Sequence, residues 1–136
     1  MLIPQKLKFK KQQKRKNFKL ISKVLNIKSS QFGSIRIYSL TTGKLTVKQL
    51  ESIKFLINKK IKRFGRIRFH FSLNKPITKK PLEVRMGKGK GNVDHWVCNI
   101  KKGLLLFEIE TLFLTLGIRA LKQIISRLPI QTKIRL

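Results

Sequence analysis

Acidic residues are almost missing from this chain: five Asp and Glu stand against 33 Lys and Arg in 136 residues, a formal net charge of +28. None of the five precedes Glu51, so everything before it is purely cationic or neutral. A compact body with that imbalance repels itself unless a polyanion neutralises it. Nucleic acid is the favoured neutraliser, because Lys and Arg displace condensed counterions from phosphates; an anionic membrane surface is the competitor. Cysteine is nearly absent too. The single Cys98 excludes an intramolecular disulfide, and no Cys or His partners it at zinc-ligand spacing. It reads as a strand residue in a reducing compartment. Long apolar runs are lacking: Leu104–Phe107 and Leu112–Leu116 are core lengths, far short of the ~18 residues that span a bilayer. The chain reads as soluble, with no membrane partner.

What is present is charge spread along the whole length, from Lys6 to Arg135. A DNA-binding regulator confines its basic stripe to one face or helix; this distribution suits a chain with RNA on several sides. The hydrophobic share of 41% is ordinary for a folded protein of one unit. Residues 1–31 are too charged to bury a core and read as a basic arm that orders on binding, leaving 32–136 as a single α+β domain. Lys-rich and acid-free, the arm superficially suits a mitochondrial presequence. Its clustered Lys around Lys10–Lys16, with only Arg15 among them, favours a mature RNA-binding arm.

Periodicity places the elements. Ile35–Ser39 alternates as a strand, with a turn at Thr42-Gly43. Thr46 and Gln49 form a T-x-x-Q capping box. After it, Val47, Leu50, Ile53, Leu56, Ile57, Ile61 and Phe64 share one helical face, predicting a helix over 47–64 with Gly65 as its left-handed C-cap. The period then drops to two: Ile67, Phe69, Phe71 and Leu73 face a core, opposite Arg66, Arg68, His70 and Ser72. Residues 74–81 hold two prolines and read as a loop, and Glu83–Met86 as a short extended piece. His95–Ile100, a turn at Lys102-Gly103 and Leu104–Ile109 read as a β-hairpin. A second helix is predicted over 112–127, ended by Pro129, and Ile130, Thr132 and Ile134 alternate as a last strand. The expected architecture is α+β: an antiparallel β-sheet with two helices packed on one face, a two-layer sandwich carrying a basic N-terminal arm and a Gly/Lys-rich loop.

That loop, Arg85-Met-Gly-Lys-Gly-Lys-Gly-Asn92, is the most unusual stretch. Its alternate glycines permit positive φ and expose backbone amides to a phosphate chain, while Arg85, Lys88 and Lys90 supply charge. It lacks the spacing of a nucleotide-hydrolysing P-loop and of a dinucleotide-binding turn. His70 and His95 are unconvincing acid–base residues, since neither has a nucleophile nearby in sequence. Glu108, alternating with Phe107 and Ile109, reads as an exposed strand position. Trp96 reads as core before base-stacking; Phe9 and Phe18, in the arm, are better stacking candidates. No catalytic residue, metal site, cofactor or small-molecule substrate is assigned.

The stretch Lys80-Pro-Leu-Glu-Val-Arg-Met-Gly-Lys-Gly-Lys-Gly-Asn-Val-Asp-His-Trp-Val97 closely resembles the signature of the bacterial-type ribosomal protein L-sixteen family. Met1-Leu-Ile-Pro-Gln-Lys-Leu-Lys-Phe-Lys-Lys11 is similar to that family's basic start. Leu45-Thr-Val-Lys-Gln-Leu-Glu51 is similar to the beginning of its first helix, Asn74-Lys-Pro-Ile-Thr-Lys-Lys-Pro81 to its proline loop and Leu128-Pro-Ile-Gln-Thr-Lys133 to its C-terminal motif. The resemblance implies an α+β sandwich on large-subunit rRNA at the base of the central protuberance, close to the aminoacyl-tRNA site. Such a protein supports subunit assembly and tRNA positioning, is not an enzyme, is not a homo-oligomer, and touches neighbouring ribosomal proteins. Carried over residue by residue, Lys6, Lys8, Lys10, Lys11, Lys14, Arg15 and Lys16 grip rRNA. Arg85, Met86, Gly87, Lys88, Gly89, Lys90, Gly91 and Asn92 form the loop that reaches toward the tRNA.

Three features depart from the family pattern, one being the poor match of residues 20–31. The arm is mostly Lys, which lacks the planar fork of Arg. Residues 110–116, Glu-Thr-Leu-Phe-Leu-Thr-Leu, present an apolar surface suited to an additional protein partner. A single alanine beside abundant Lys, Ile, Asn and Phe suggests an AT-rich, organelle-encoded gene, mitochondrial before plastid, with a bacterial cytoplasm as the alternative.

Overall fold

The computed structural model describes residues 9–13, 35–87 and 89–136. The elements run β1 (Ile35–Ser39), β2 (Gly43–Thr46), α1 (Val47–Ile61), β3 (Gly65–Phe69), β4 (Lys75–Lys79), β5 (Asn92–Ile100), β6 (Leu105–Thr111), α2 (Leu114–Ile125) and β7 (Thr132–Arg135). All strand pairs are antiparallel, and the fold is α+β as expected, but the strands divide into two sheets rather than one. A four-stranded sheet has the order β3-β6-β1-β7, and a three-stranded sheet the order β2-β5-β4.

Helix α1 starts where its capping box requires. The Thr46 hydroxyl accepts from the Gln49 amide at 3.4 Å, and the Gln49 side chain accepts from the Thr46 amide at 3.0 Å. Leu50, Ile53, Ile57 and Ile61 are its buried stripe. The helix ends before the expected residue 64: Lys62 takes the positive φ of 51° and its amide reaches the Asn58 carbonyl. Gly65 is not the cap. It opens β3 against β6, where a Cβ would lie 2.3 Å from the Glu110 carbonyl oxygen. Close backbone approach, not a left-handed turn, requires glycine there. Helix α2 is also shorter than the predicted 112–127.

The register sorts the four-stranded sheet into two faces. Ile35 opposite Ile109, Ile37 opposite Phe107 and Ile134, and Ile67 and Phe69 on β3 form the apolar face. Both helices meet this sheet, α1 at β3 and α2 at β1 and β6, while α1 also touches β2 and β5 of the other sheet. Leu45, Cys98 and Ile100 from that second sheet join Leu50, Ile53, Leu121 and Ile124 in one continuous buried cluster. Phe71 and Leu73 keep the inward orientation that alternation predicts although β3 has ended at Phe69.

Two expectations fail on pairing. The segment predicted as a proline loop contains strand β4, with Pro76 opposite Trp96. As an edge strand, β4 tolerates proline, whose missing N–H costs no ladder bond on the open side. The predicted hairpin does not form: β5 pairs with β2 and β4, and β6 with β1 and β3. The turn at Lys102-Gly103, with Gly103 at φ 81°, carries the chain from one sheet to the other.

Candidate nucleic-acid interface

The glycine loop leaves β4 and returns in β5, so both ends are anchored by the ladder that sets Lys79 opposite Asn92. Gly87 and Gly89 have φ of 108° and 81°, with open space where a side chain would go. Glycine is required there by backbone conformation. Gly91 differs: its Cβ would sit 2.6 Å from the Lys79 carbonyl oxygen, so the loop exit runs tight over the end of β4. Arg85, Met86, Lys90 and Asn92 are exposed, and Leu82 and Met86 lie almost wholly in solvent, at 96% and 102%. Glu83–Met86 is a turn and bend rather than the extended piece expected. Lys88 lies outside the described residues.

The described part of the arm, residues 9–13, lies against this loop. Lys11 Nζ donates to the Lys90 carbonyl at 3.0 Å, and Lys90 Nζ donates back to the Gln12 carbonyl. Lys80, which sequence reasoning did not assign to the site, donates through Nζ to the Gly87 carbonyl. Backbone oxygens, not carboxylates, receive these ammonium groups, so the positive charge is held in place without being cancelled. Lys10 and Phe9 are exposed beside them. Lys6, Lys8, Lys14, Arg15, Lys16 and Phe18 lie outside the described residues. Beneath the loop a shallow groove of about 360 Å3 is lined by Lys79, Lys80, Leu82, Asn92 and Asp94. His95 Nδ1 lies 2.8 Å from Asp94 Oδ2. That hydrogen bond holds the Asp94 carboxyl below its usual range, helped by the charges of Lys79 and Lys48.

A second charged surface is the outer face of the four-stranded sheet. There Arg66 faces Glu110, Glu108 lies between Arg68 and Arg36, and Arg36 and Tyr38 face Arg135 and Lys133. The Arg135 guanidinium stands 5.4 Å from the Tyr38 ring centre, a cation–π contact. Glu108 corrects an expectation, since it is 2% exposed rather than open to solvent. Its Oε2 has His70 Nε2 at 3.2 Å, so His70, itself exposed, also meets a carboxylate. Alternation assigned the correct face but not the cover supplied by long side chains on both neighbouring strands. Trp96 is half-buried against the core, in line with expectation.

Among the described residues no group of three or more His, Cys, Asp or Glu side chains is placed to hold a metal ion, and no helix is long and apolar enough to cross a membrane. The arrangement offers clustered cations and two glycines of positive φ, groups suited to meeting an anion.

The family model for ribosomal protein L16p/L10e matches residues 4–135. The large ribosomal subunit protein uL16 of Psychrobacter arcticus is 45% identical over 134 residues, covering 98% of this chain and 96% of its own length. Those of Acinetobacter baylyi and Alkalilimnicola ehrlichii are 44% and 41% identical, with 96% and 94% of their lengths covered. With a family model spanning nearly every residue and relatives matched almost end to end, this chain belongs to the ribosomal protein L16p/L10e family.

Proposed function

We propose that this chain is a structural constituent of the large ribosomal subunit, binding large-subunit rRNA through one composite surface built from the basic arm (1–31) and the glycine loop. The observation that carries the reading is the reciprocal pair of bonds between Lys11 and the Lys90 carbonyl and between Lys90 and the Gln12 carbonyl. It joins two segments almost eighty residues apart into one cationic surface, in a loop with no carboxylate between Val84 and Val93. On this reading Lys6, Lys8, Lys10, Lys11, Lys14, Arg15 and Lys16 hold the rRNA backbone. Arg85 through Asn92 extend toward aminoacyl-site tRNA near the central protuberance, supporting assembly and tRNA positioning. Family membership supports that placement, and a net charge of +28 supports the polyanionic partner. The role is structural, not catalytic, and residues 32–136 act as one domain. The compartment we propose is the mitochondrial matrix, on the single alanine and the Lys- and Ile-rich composition; the relatives cited above are bacterial, which makes a bacterial cytoplasm the alternative.

Sucrose-gradient fractionation tests the reading: the chain should sediment with the large subunit and leave it as salt rises. Binding to anionic vesicles that survives nuclease, with no chain on ribosomal particles, refutes it. Within the particle, the double substitution Lys88→Ala and Lys90→Ala should weaken aminoacyl-tRNA accommodation while the isolated fold stays intact. A normal accommodation rate with full occupancy refutes the assignment of the loop.

A further inference from the structure

Away from the glycine loop, the β6–α2 connection and the start of β3 meet in an apolar patch. Phe64, Leu112, Phe113 and Leu114 are 46%, 78%, 57% and 43% exposed. They are exposed but not loose. The Leu112 amide donates to the Phe64 carbonyl at 3.0 Å, and the Thr111 hydroxyl donates to the Phe113 carbonyl at 3.2 Å. The Phe64 and Phe113 rings stand edge to face with centres 6.0 Å apart. Beside them runs a groove of about 500 Å3 whose walls include Arg63, Arg66 and Glu110. Its floor is Gly65, where any side chain would strike the Glu110 backbone. A fixed, contiguous apolar patch on an otherwise strongly charged molecule marks a contact surface.

We propose that this patch docks a second protein of the large subunit, through a segment that inserts an apolar side chain beside Phe64 and Leu112 and brings a carboxylate to Arg63 and Arg66. Three observations select that occupant. Arg63 and Arg66 are exposed at the rim and call for negative charge. Helix α2 begins at Leu114 with Phe113 at its N-cap, with no side-chain capping bond and no acid in its first turn, so its positive end also favours a carboxylate. Against RNA stands the aliphatic share of the patch. Leu112, the most exposed of the four, and Leu114 are aliphatic and offer no ring for a base. Aromatic and Arg anchors beside aliphatic side chains match the buried centre of protein–protein contacts.

Photo-crosslinking in the assembled subunit tests this. Large subunits are prepared from cells in which p-benzoylphenylalanine replaces Leu112 or, separately, Phe113, then irradiated and digested with protease and nuclease. Mass spectrometry is expected to find the adduct on a peptide of another ribosomal protein that carries Asp or Glu. At equal occupancy of this chain, Arg63→Glu should lower the adduct yield about fivefold or more, and Arg63→Lys should preserve it. An adduct on rRNA, on a second copy of this chain or on a peptide without a carboxylate overturns the proposal. So does the absence of any adduct at both positions, or a yield indifferent to Arg63→Glu. Because sedimentation with the large subunit is read separately, failure here leaves the rRNA-binding reading standing.

Discussion

Replacing Lys11 and Lys90 together by Gln probes whether the arm and loop form one phosphate-binding surface. Each ammonium gives one N–H to a carbonyl in the free protein, Lys11 to Lys90 and Lys90 to Gln12, which leaves two N–H groups on each for phosphate oxygens. Every phosphate neutralised contributes roughly 0.7–0.9 to the slope of log affinity against log salt. Losing two contacts should flatten that slope by about 1.4–1.8. Between 0.05 and 0.2 M salt, a fourfold change, the fall in affinity should then be smaller by roughly sevenfold to twelvefold. Filter binding of the full chain to a large-subunit rRNA transcript across that range measures it. The Arg pair Lys11→Arg with Lys90→Arg, which keeps the charge, should keep the slope. An unchanged slope in the Gln variant, with thermal unfolding as in the parent chain, would refute the idea that these lysines meet phosphate.

Other expectations concern the scaffold that aims this surface. Gly65→Ala places a methyl group against backbone at 2.3 Å and should cost about 1–3 kcal/mol in denaturant unfolding; a neutral result would mean that β3 and β6 do not cross so closely. Thr46→Ala removes one half of the capping box and should cost about 0.5–2 kcal/mol, with Thr46→Ser nearly silent; equal loss in both would point away from the hydroxyl. Cys98 is 4% exposed, and burial pushes its thiol up to about 11 from an ordinary value of 9.0. A folded-state value above the unfolded one means that this contribution to stability is complete below pH 9 and is lost as pH rises through 11. Iodoacetamide at pH 8 should therefore label the unfolded chain and spare the folded one; rapid labelling under native conditions would contradict the burial.

Elements governed by neighbouring residues were legible in the sequence, and elements governed by distant partners were not. The start of α1 was readable because Thr46 and Gln49 satisfy each other across three residues. The inward faces of β1 and of residues 67–73 followed from alternation alone. Strand partners carry no such local mark. His95–Ile100 and Leu104–Ile109 alternate like the arms of a hairpin, yet each finds its neighbours far along the chain. Pro76 suggested a loop because proline excludes a central strand, and β4 escapes by lying at an edge. The cap of α1 was misplaced because Gly65 serves two plausible purposes, and only the proximity of Glu110 decides between them. At the candidate site, the glycine spacing and the charge of the loop were plain in the residues. That Lys11 lies on Lys90, or that Lys80 ties down Gly87, depends on how the arm returns over the domain, which no local pattern encodes.

The position of β7 carries a consequence for biosynthesis. Its ladder sets Arg36 opposite Arg135, and the Arg36 guanidinium also reaches the Leu136 carbonyl at 3.3 Å. Among the described strands, the first in sequence, β1, is thus flanked by the last, β7. A nascent chain halted before Thr132 would leave Ile35–Ser39 as a bare edge, with a row of unmet amides and carbonyls free to recruit a neighbour. Copies cut short of Thr132 therefore expose an adhesive margin that β7 otherwise hides.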